Sequence, residues 1–347
     1  RTQRYATSWE VSEIMNITNP NRVKIRGIKQ EIWIADMKAD QKVDIQYASK
    51  YSISSNYWKY SIGQNNQLKN LNVIAKKQAI EDQFNNWVNE DPARKAKYGE
   101  ALNLIKSSVE GRAEFQNAYQ YLNECIQGCE LVGFYQIIRD YLSALRGGDN
   151  QKVTEAANLI RENINEIYKD YNPPTDQKST RAMLKLYRED VPVQFHPDFY
   201  SNIVDKKFKG NVDRFVDNMF ARSIFVSESK LIAFLDKPVL KTLENDPVVT
   251  TYESFIRVAR EVVQERSKFD QDLARGQRLW IAALMEMTPE KTRYPDANST
   301  MRLSYGTVQN YDPRDAVTYK YYTTLDGVIA KYKPGDYEFD LPKRLID

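Results

Sequence analysis

Asp246-Pro-Val-Val-Thr-Thr-Tyr-Glu-Ser-Phe-Ile-Arg-Val-Ala-Arg-Glu-Val-Val263 opens with a capping acid followed by proline. Proline has no N–H to lose at the first helical position, so the pair marks a helix start. Beyond it Val248, Tyr252, Phe255, Ile256, Ala259 and Val263 form one stripe, while Glu253, Arg257, Arg260 and Glu261 fall largely off it. That is the 3.6-residue period of an amphipathic helix, predicted to run past Phe269. Asp91-Pro92 repeats the start signal. Val153, Ala156, Ala157, Ile160, Ile164, Ile167, Tyr168 and Tyr171 repeat the stripe, between Gly147-Gly148 and Pro173-Pro174. Ile80, Phe84, Trp87 and Val88 give another apolar face. The reading is of a mainly α, bundle-like body over residues 1–290.

The texture changes after Pro295. Thr300 to Val308 alternates, and Ala316 to Thr324 is rich in β-branched and aromatic residues, so both are predicted strands joined through Gln309 to Asp315. Two strands alone are marginal, so residues 291–347 read as a short β segment whose sheet is completed elsewhere.

Composition narrows the function classes. The 347 residues are 41% hydrophobic and 28% charged, with 23 Tyr and 5 Trp, which describes a folded chain able to bury a core. No run of about 18 apolar residues is present, so no membrane-spanning helix is predicted. Fifty basic against 47 acidic residues leave +3, with the signs interleaved, which argues against a nucleic-acid surface. None of the 13 glycines has dinucleotide or Walker spacing. No Cys/His cluster or calcium-loop spacing suggests a metal, and no cofactor is implied. Cys125 and Cys129 lie four apart in what reads as a helix, a poor geometry for a disulfide, and are expected to be reduced and structural. The single histidine, His196, precedes a proline and reads as a loop residue. Any nucleophile–His–acid relay within this chain would have to use it.

Gln46-Tyr-Ala-Ser-Lys-Tyr-Ser-Ile-Ser-Ser-Asn-Tyr-Trp-Lys-Tyr-Ser-Ile-Gly63 packs aromatics, hydroxyls and an amide together as binding sites do. Its Tyr47-Ala-Ser-Lys-Tyr51 and Ser55-Asn-Tyr-Trp-Lys59 resemble the bacterial dipeptidyl-peptidase 7 and dipeptidyl-peptidase 11 family. So do Arg1-Thr-Gln-Arg-Tyr5, Arg26-Gly-Ile-Lys-Gln30, the stretch Trp87 to Tyr98 and the stretch Tyr294 to Gly306, which together span nearly the whole chain. The resemblance implies a periplasmic or cell-surface serine exopeptidase that removes dipeptides from free N-termini of oligopeptides, the parent protein being a homodimer. It implies a trypsin-like double barrel, with residues 1–290 the helical cap over its cleft and 291–347 part of the second barrel. In that family the catalytic His and Asp precede the matched region, and the Ser lies in a Gly-Asn-Ser-Gly-Ser-Pro motif after it. The chain is therefore expected to hold no catalytic residue and to be inactive alone.

One family role maps inside the chain. Read from residue type, Asn56 is a helix-surface or capping amide; the resemblance gives it the substrate's α-ammonium. Tyr57 and Trp58 read as core by residue type and, through the resemblance, as walls of the substrate channel. Arg22, Lys24 and Arg26 read as a solvated face or as groups facing a peptide carboxylate. The competing function is a stand-alone helical adaptor that binds protein or cell wall through its aromatic surface.

Overall fold

The computed structural model describes all residues except 1–4, 127, 296–298, 302 and 304. Helices dominate, and the chain divides into two compact units, Arg1–Tyr294 and Pro295–Asp347.

The first unit is helical. Each capping acid works as its position predicts: Asp91 accepts from the Ala93 and Arg94 amides at 2.6 and 3.3 Å, and Asp246 from the Val248 amide at 2.8 Å. Gly148, at φ +67°, ends the Tyr135–Gly147 helix in the left-handed region, and Asn172 with Pro173 starts the Pro173–Asp190 helix. The Pro247–Ser267 helix buries Val248, Tyr252 and Phe255, and then Val258 and Val262 rather than Val263, which is exposed. The stripe thus drifts by a residue from the sequence reading. The helix also stops at Ser267, short of Phe269, whose ring lies against Gly111 so closely that a Cβ there would meet it at 2.4 Å.

The largest core packs Tyr187, Phe199, Phe215 and Phe255 together, with Phe199–Phe255 centroids 5.3 Å apart and Tyr187–Phe255 edge-on at 5.2 Å. A second core joins Phe84, Ile105 and Trp280. Within it the Ala101–Gly111 and Asp270–Met287 helices approach closely at Gly276, where an added Cβ would stand 2.9 Å from the Ala101 carbonyl oxygen and from Ile105. Gly276→Leu should therefore lower the unfolding free energy by about 1–3 kcal/mol through overpacking. Gly63→Ala, where an added Cβ meets nothing within 4 Å, should gain about 0.5–1 kcal/mol of helix propensity. Urea midpoints of the two variants measure both effects, and an unmoved Gly276→Leu midpoint would contradict the packing.

Asn19–Ala39 and Gln41–Asn70 form a long helical hairpin turning at Asp40, whose side chain caps the Lys42 amide at 2.8 Å. The chain enters it through a π turn, Ile14–Thr18. Asn65 donates to the Met15 carbonyl at 2.9 Å and accepts from Asn19 at 2.7 Å, so the far end of the Gln41–Asn70 helix is tied to that irregular turn.

The second unit holds a two-stranded antiparallel hairpin, Tyr311–Arg314 with Val317–Tyr319, pairing Tyr311 with Tyr319 and Arg314 with Val317. The turn places Ala316 at φ +58°. This departs from the sequence reading: the first strand forms in the expected connection, and the described residues of 300–308 carry no strand. Met301, Leu303, Tyr305 and Val308 are 76% or more exposed, so their alternation finds no ladder and no apolar face within this unit. Residues 302 and 304 of that stretch lie outside the described residues.

Candidate functional site

The Gln41–Asn70 helix has two unlike faces. Inward it presents Val43, Tyr47, Ser54, Ser55 and Ser61, all buried. The serines keep that face thin, so the Asn19–Ala39 helix comes close: a Cβ on Gly27 would stand 3.4 Å from the Trp58 indole nitrogen. Gln30 donates to Ser54 Oγ at 3.2 Å, and Trp58 Nε1 donates to the Val23 carbonyl at 3.1 Å. Trp58 is thus half-buried and fixed between the helices.

Outward the same helix exposes Ile45, Ile53, Asn56, Tyr57 and Tyr60, the aliphatic and aromatic members at 50–72%. The spacing 45, 53, 56, 60 follows one side of an α-helix. Asn56 is exposed and makes no side-chain hydrogen bond among the described residues, so its amide is neither a cap nor a structural bridge. Its neighbour Tyr57 lies half-exposed over two guanidinium groups, Arg26 at 5.2 Å and Arg22 at 5.9 Å from the ring centroid.

Those arginines are themselves held. Arg26 grips Glu124 through Nε–Oε2 at 2.8 Å and Nη2–Oε1 at 3.1 Å, and donates to the Ser54 carbonyl at 3.4 Å. Arg22 donates to Ser61 at 3.3 Å, with its Nε 3.5 Å from Glu124. Lys24 is paired with Asp190 at 2.5 Å, and the same carboxylate oxygen accepts from Tyr121 at 2.7 Å. Arg22 and Arg26 therefore build the floor under Tyr57, and Lys24 ties the hairpin to Asp190; each already has an internal carboxylate. Beneath them the Lys29 ammonium lies 5.0 Å from the centroid of the Trp33 ring. Burial pulls its pKa down, with Arg26 adding to the fall and Glu124 opposing it.

The near end of the helix is anchored by residues that sequence reasoning passed over. Tyr47 donates to Glu130 Oε1 at 2.6 Å and Lys50 to Glu130 Oε2 at 2.5 Å. The backbone amides of Glu130 and Leu131 in turn donate to Asp176, each at 2.8 Å, and Tyr171 and Thr180 add hydroxyls at 3.2 and 3.3 Å. Asp176 is completely buried, and that burial, reinforced by the Glu130 charge, pushes its pKa well above the usual carboxylate range against the pull of the two amides. Tyr47 and Lys50 belong to the Tyr-Ala-Ser-Lys-Tyr motif, the one signal that could have pointed here.

The other sequence candidates are structural. His196 Nε2 meets the Val191 carbonyl at 2.7 Å, and its ring lies among Tyr187 and Tyr200, with no serine or acid bonded to it among the described residues. Cys125 and Cys129 are free and buried, and burial pushes both thiols up. They do not share one helix, since Ala113–Ile126 ends before Cys129, whose thiol donates to the Cys125 carbonyl at 3.3 Å. Among the described residues no group of three or more His, Cys, Asp or Glu is arranged to hold a metal, and no helix is long and apolar enough to cross a membrane.

Known proteins share this architecture and sequence. Dipeptidyl-peptidase 7 of Porphyromonas gingivalis is 37% identical over 351 residues, covering 100% of this chain and 48% of that protein. The Asp/Glu-specific dipeptidyl-peptidase of the same organism is 35% identical, covering 99% of this chain and 48% of that protein. The chain thus spans about half the length of the curated relatives it matches. The crystal structure of Porphyromonas endodontalis DPP11 in complex with the dipeptide Arg-Glu superposes with a TM-score of 0.87 at 29% identity, over 99% of this chain and 49% of that one. With the model for peptidase S46 matching residues 1–347 throughout, the chain belongs to the peptidase S46 family.

Proposed function

We propose that this chain is the helical substrate-capping layer, with part of one β-barrel, of a serine dipeptidyl aminopeptidase that releases dipeptides from the free N-termini of oligopeptides. The observation that carries the reading is Asn56: an exposed amide without a side-chain hydrogen bond among the described residues, on the outward face of a helix whose opposite face is locked at both ends. An amide carbonyl there accepts a hydrogen bond from a peptide's α-ammonium, while Tyr57 and Ile53 shield that bond from water. Exopeptidase selectivity then follows from recognition of the amine and not of the side chain that follows it. In keeping with this, a relative named as Asp/Glu-specific and one whose name carries no side-chain specificity resemble the chain about equally, at 35% and 37% identity.

Hydrolysis belongs to residues of a longer polypeptide. The lone imidazole is committed to a backbone carbonyl, and 53 residues of exposed tyrosines and a two-strand hairpin are what part of a larger barrel would look like in isolation. The parent acts in the periplasm or at the cell surface and assembles as a homodimer. The adaptor reading is not favoured, since the peptidase match runs over residues 1–347. Incubating the chain alone with a chromogenic free-amine dipeptide should release no chromophore. Turnover proportional to the chain's concentration would overturn the assignment.

A further inference from the structure

The turn that carries Asn56 and Tyr57 stands over charges that do not balance. Arg26 and Arg22 lie 5.2 and 5.9 Å from the centroid of the Tyr57 ring. Both turn to one carboxylate, Glu124, which comes from the Ala113–Ile126 helix and whose side chain is only 9% exposed. Arg26 grips it with two hydrogen bonds, at 2.8 and 3.1 Å. Arg22 approaches it only to 3.5 Å, and its buried Nε has no hydrogen-bond partner among the described residues. Lys29, three positions beyond Arg26, is buried beside this group without an ion pair among the described residues; burial and the Arg26 charge favour its neutral form, and Glu124 its charged one. Even with Lys29 counted as neutral, two guanidinium groups face one acid.

The rest of the hairpin does not restore the balance. Lys24 is neutralised by Asp190 and Lys50 by Glu130. The acids of the Asn19–Ala39 helix are Asp36, which is taken by Lys178, and Glu31, which is exposed and five positions beyond Arg26. The Gln41–Asn70 helix has a single acid, Asp44, twelve positions from Asn56, while its exposed Lys59, three positions away, is a further cation with no ion pair among the described residues. Buried charges are screened by salt far less than exposed ones, so the group under Tyr57 acts on whatever lies over that ring.

We propose that the charge of this floor sets how tightly the peptide's α-ammonium is held, with Arg22 and Arg26 opposing it and Glu124, beneath them, offsetting them. The inference rests on the amine-binding reading above and deepens it: an ammonium at the Asn56 amide stands beside the Tyr57 ring, within the field of both guanidinium groups. Glu124 is then a specificity-determining residue for the charged amine although it touches no substrate, and Arg22, the more loosely held arginine, is the one whose charge the fold can best spare. Because the released dipeptide carries the same ammonium as the substrate, the same opposing field favours its departure. The two residues have effects of opposite sign. Losing Glu124 weakens the hold on the amine, and losing Arg22 strengthens it, whereas damage to packing would weaken it in both.

The readout is the ratio of the inhibition constant of a des-amino dipeptide analogue to that of the dipeptide itself, measured in the longer polypeptide at low salt. Glu124→Gln should lower that ratio roughly 3- to 10-fold, the effect of one unit charge at about 12 Å with an effective dielectric constant of about 20 to 40. Arg22→Gln should raise it by a similar factor, the double variant should return it to within about 2-fold of the parent, and about 0.5 M salt should shrink all the differences. Circular dichroism shows whether each variant folds. If Glu124→Gln does not, Arg22→Gln decides alone, and a ratio that fails to rise overturns the proposal. So do two single variants that shift the ratio the same way, or a double variant that shifts it further than either. A ratio that responds to Asn56→Ala but to neither charge variant sinks this inference and leaves the amine-binding role of Asn56 standing; the reverse pattern sinks that role and leaves the inference.

Discussion

Replacing Asp176 with alanine is expected to lower the free energy of unfolding by about 3–5 kcal/mol, because it strands several buried donors at once. The amides of Glu130 and Leu131, each 2.8 Å from the carboxylate, would have no acceptor, and the Tyr171 and Thr180 hydroxyls would lose one as well. Damage should spread along a defined line. The short Glu130–Gly133 helix loses its anchor, Glu130 no longer meets Tyr47 and Lys50 squarely, and the near end of the Gln41–Asn70 helix loosens. Asp176→Asn, which keeps one acceptor oxygen, should cost less. The two also differ in pH dependence. Burial raises the folded-state pKa of Asp176 above its unfolded value of about 3.9, so between that value and neutrality the folded chain holds a proton that the unfolded chain has released. Its contribution is complete at low pH and is lost as pH rises through the folded-state pKa. Urea unfolding across pH 4 to 7 should show that downward slope in the parent chain and a flatter one in Asp176→Asn; identical slopes would remove Asp176 as its source.

The second large effect is kinetic. In the longer polypeptide, Asn56→Ala should reduce kcat/KM for free-amine dipeptide substrates by about 10- to 100-fold, mostly through KM, as expected for losing one shielded hydrogen bond to a charged group. Stability should stay within about 0.5 kcal/mol of the parent, because the side chain is exposed and has no hydrogen-bond partner among the described residues. That separation matters, since a loss caused by unfolding would appear in both measurements. Asn56→Asp retains an acceptor oxygen and should recover most of the activity. Unchanged kinetics in Asn56→Ala would return the residue to ordinary helix surface.

The parts of this account legible in the sequence are those governed by neighbours a few residues away. Asp-Pro pairs mark helix starts because cap and proline act within one turn, and Asp91 and Asp246 both cap as their positions predict. The helical body follows from periodicity, which survives small errors: the Pro247–Ser267 stripe was legible even though Val263 points outward and Val262 inward. The alternation of Thr300 to Val308 misled because a strand is defined by its ladder partner, and the described residues of this unit supply none. Asn56 was legible only through its motif; nothing in its composition shows that its amide is unpartnered. The partners that reach its helix from other elements could not be read at all. Asp176 meets Glu130 and Leu131 about 45 positions away, and Arg26 meets Glu124 across 98, distances at which only the packed fold decides who is adjacent. Arg22, Lys24 and Arg26 look like free cations in the sequence for the same reason, since their carboxylates arrive from other helices.

The proposed contact between Asn56 and the charged amino end of a bound peptide is measured directly by a double-mutant cycle on inhibition constants. A dipeptide and its des-amino analogue, tested as competitive inhibitors of the longer polypeptide with and without Asn56→Ala, should show a coupling of about 1.5–3 kcal/mol, the value of a shielded hydrogen bond to a charged group. If removing the substrate amine costs the same whether or not Asn56 is present, the contact does not exist and the helical layer has some other task.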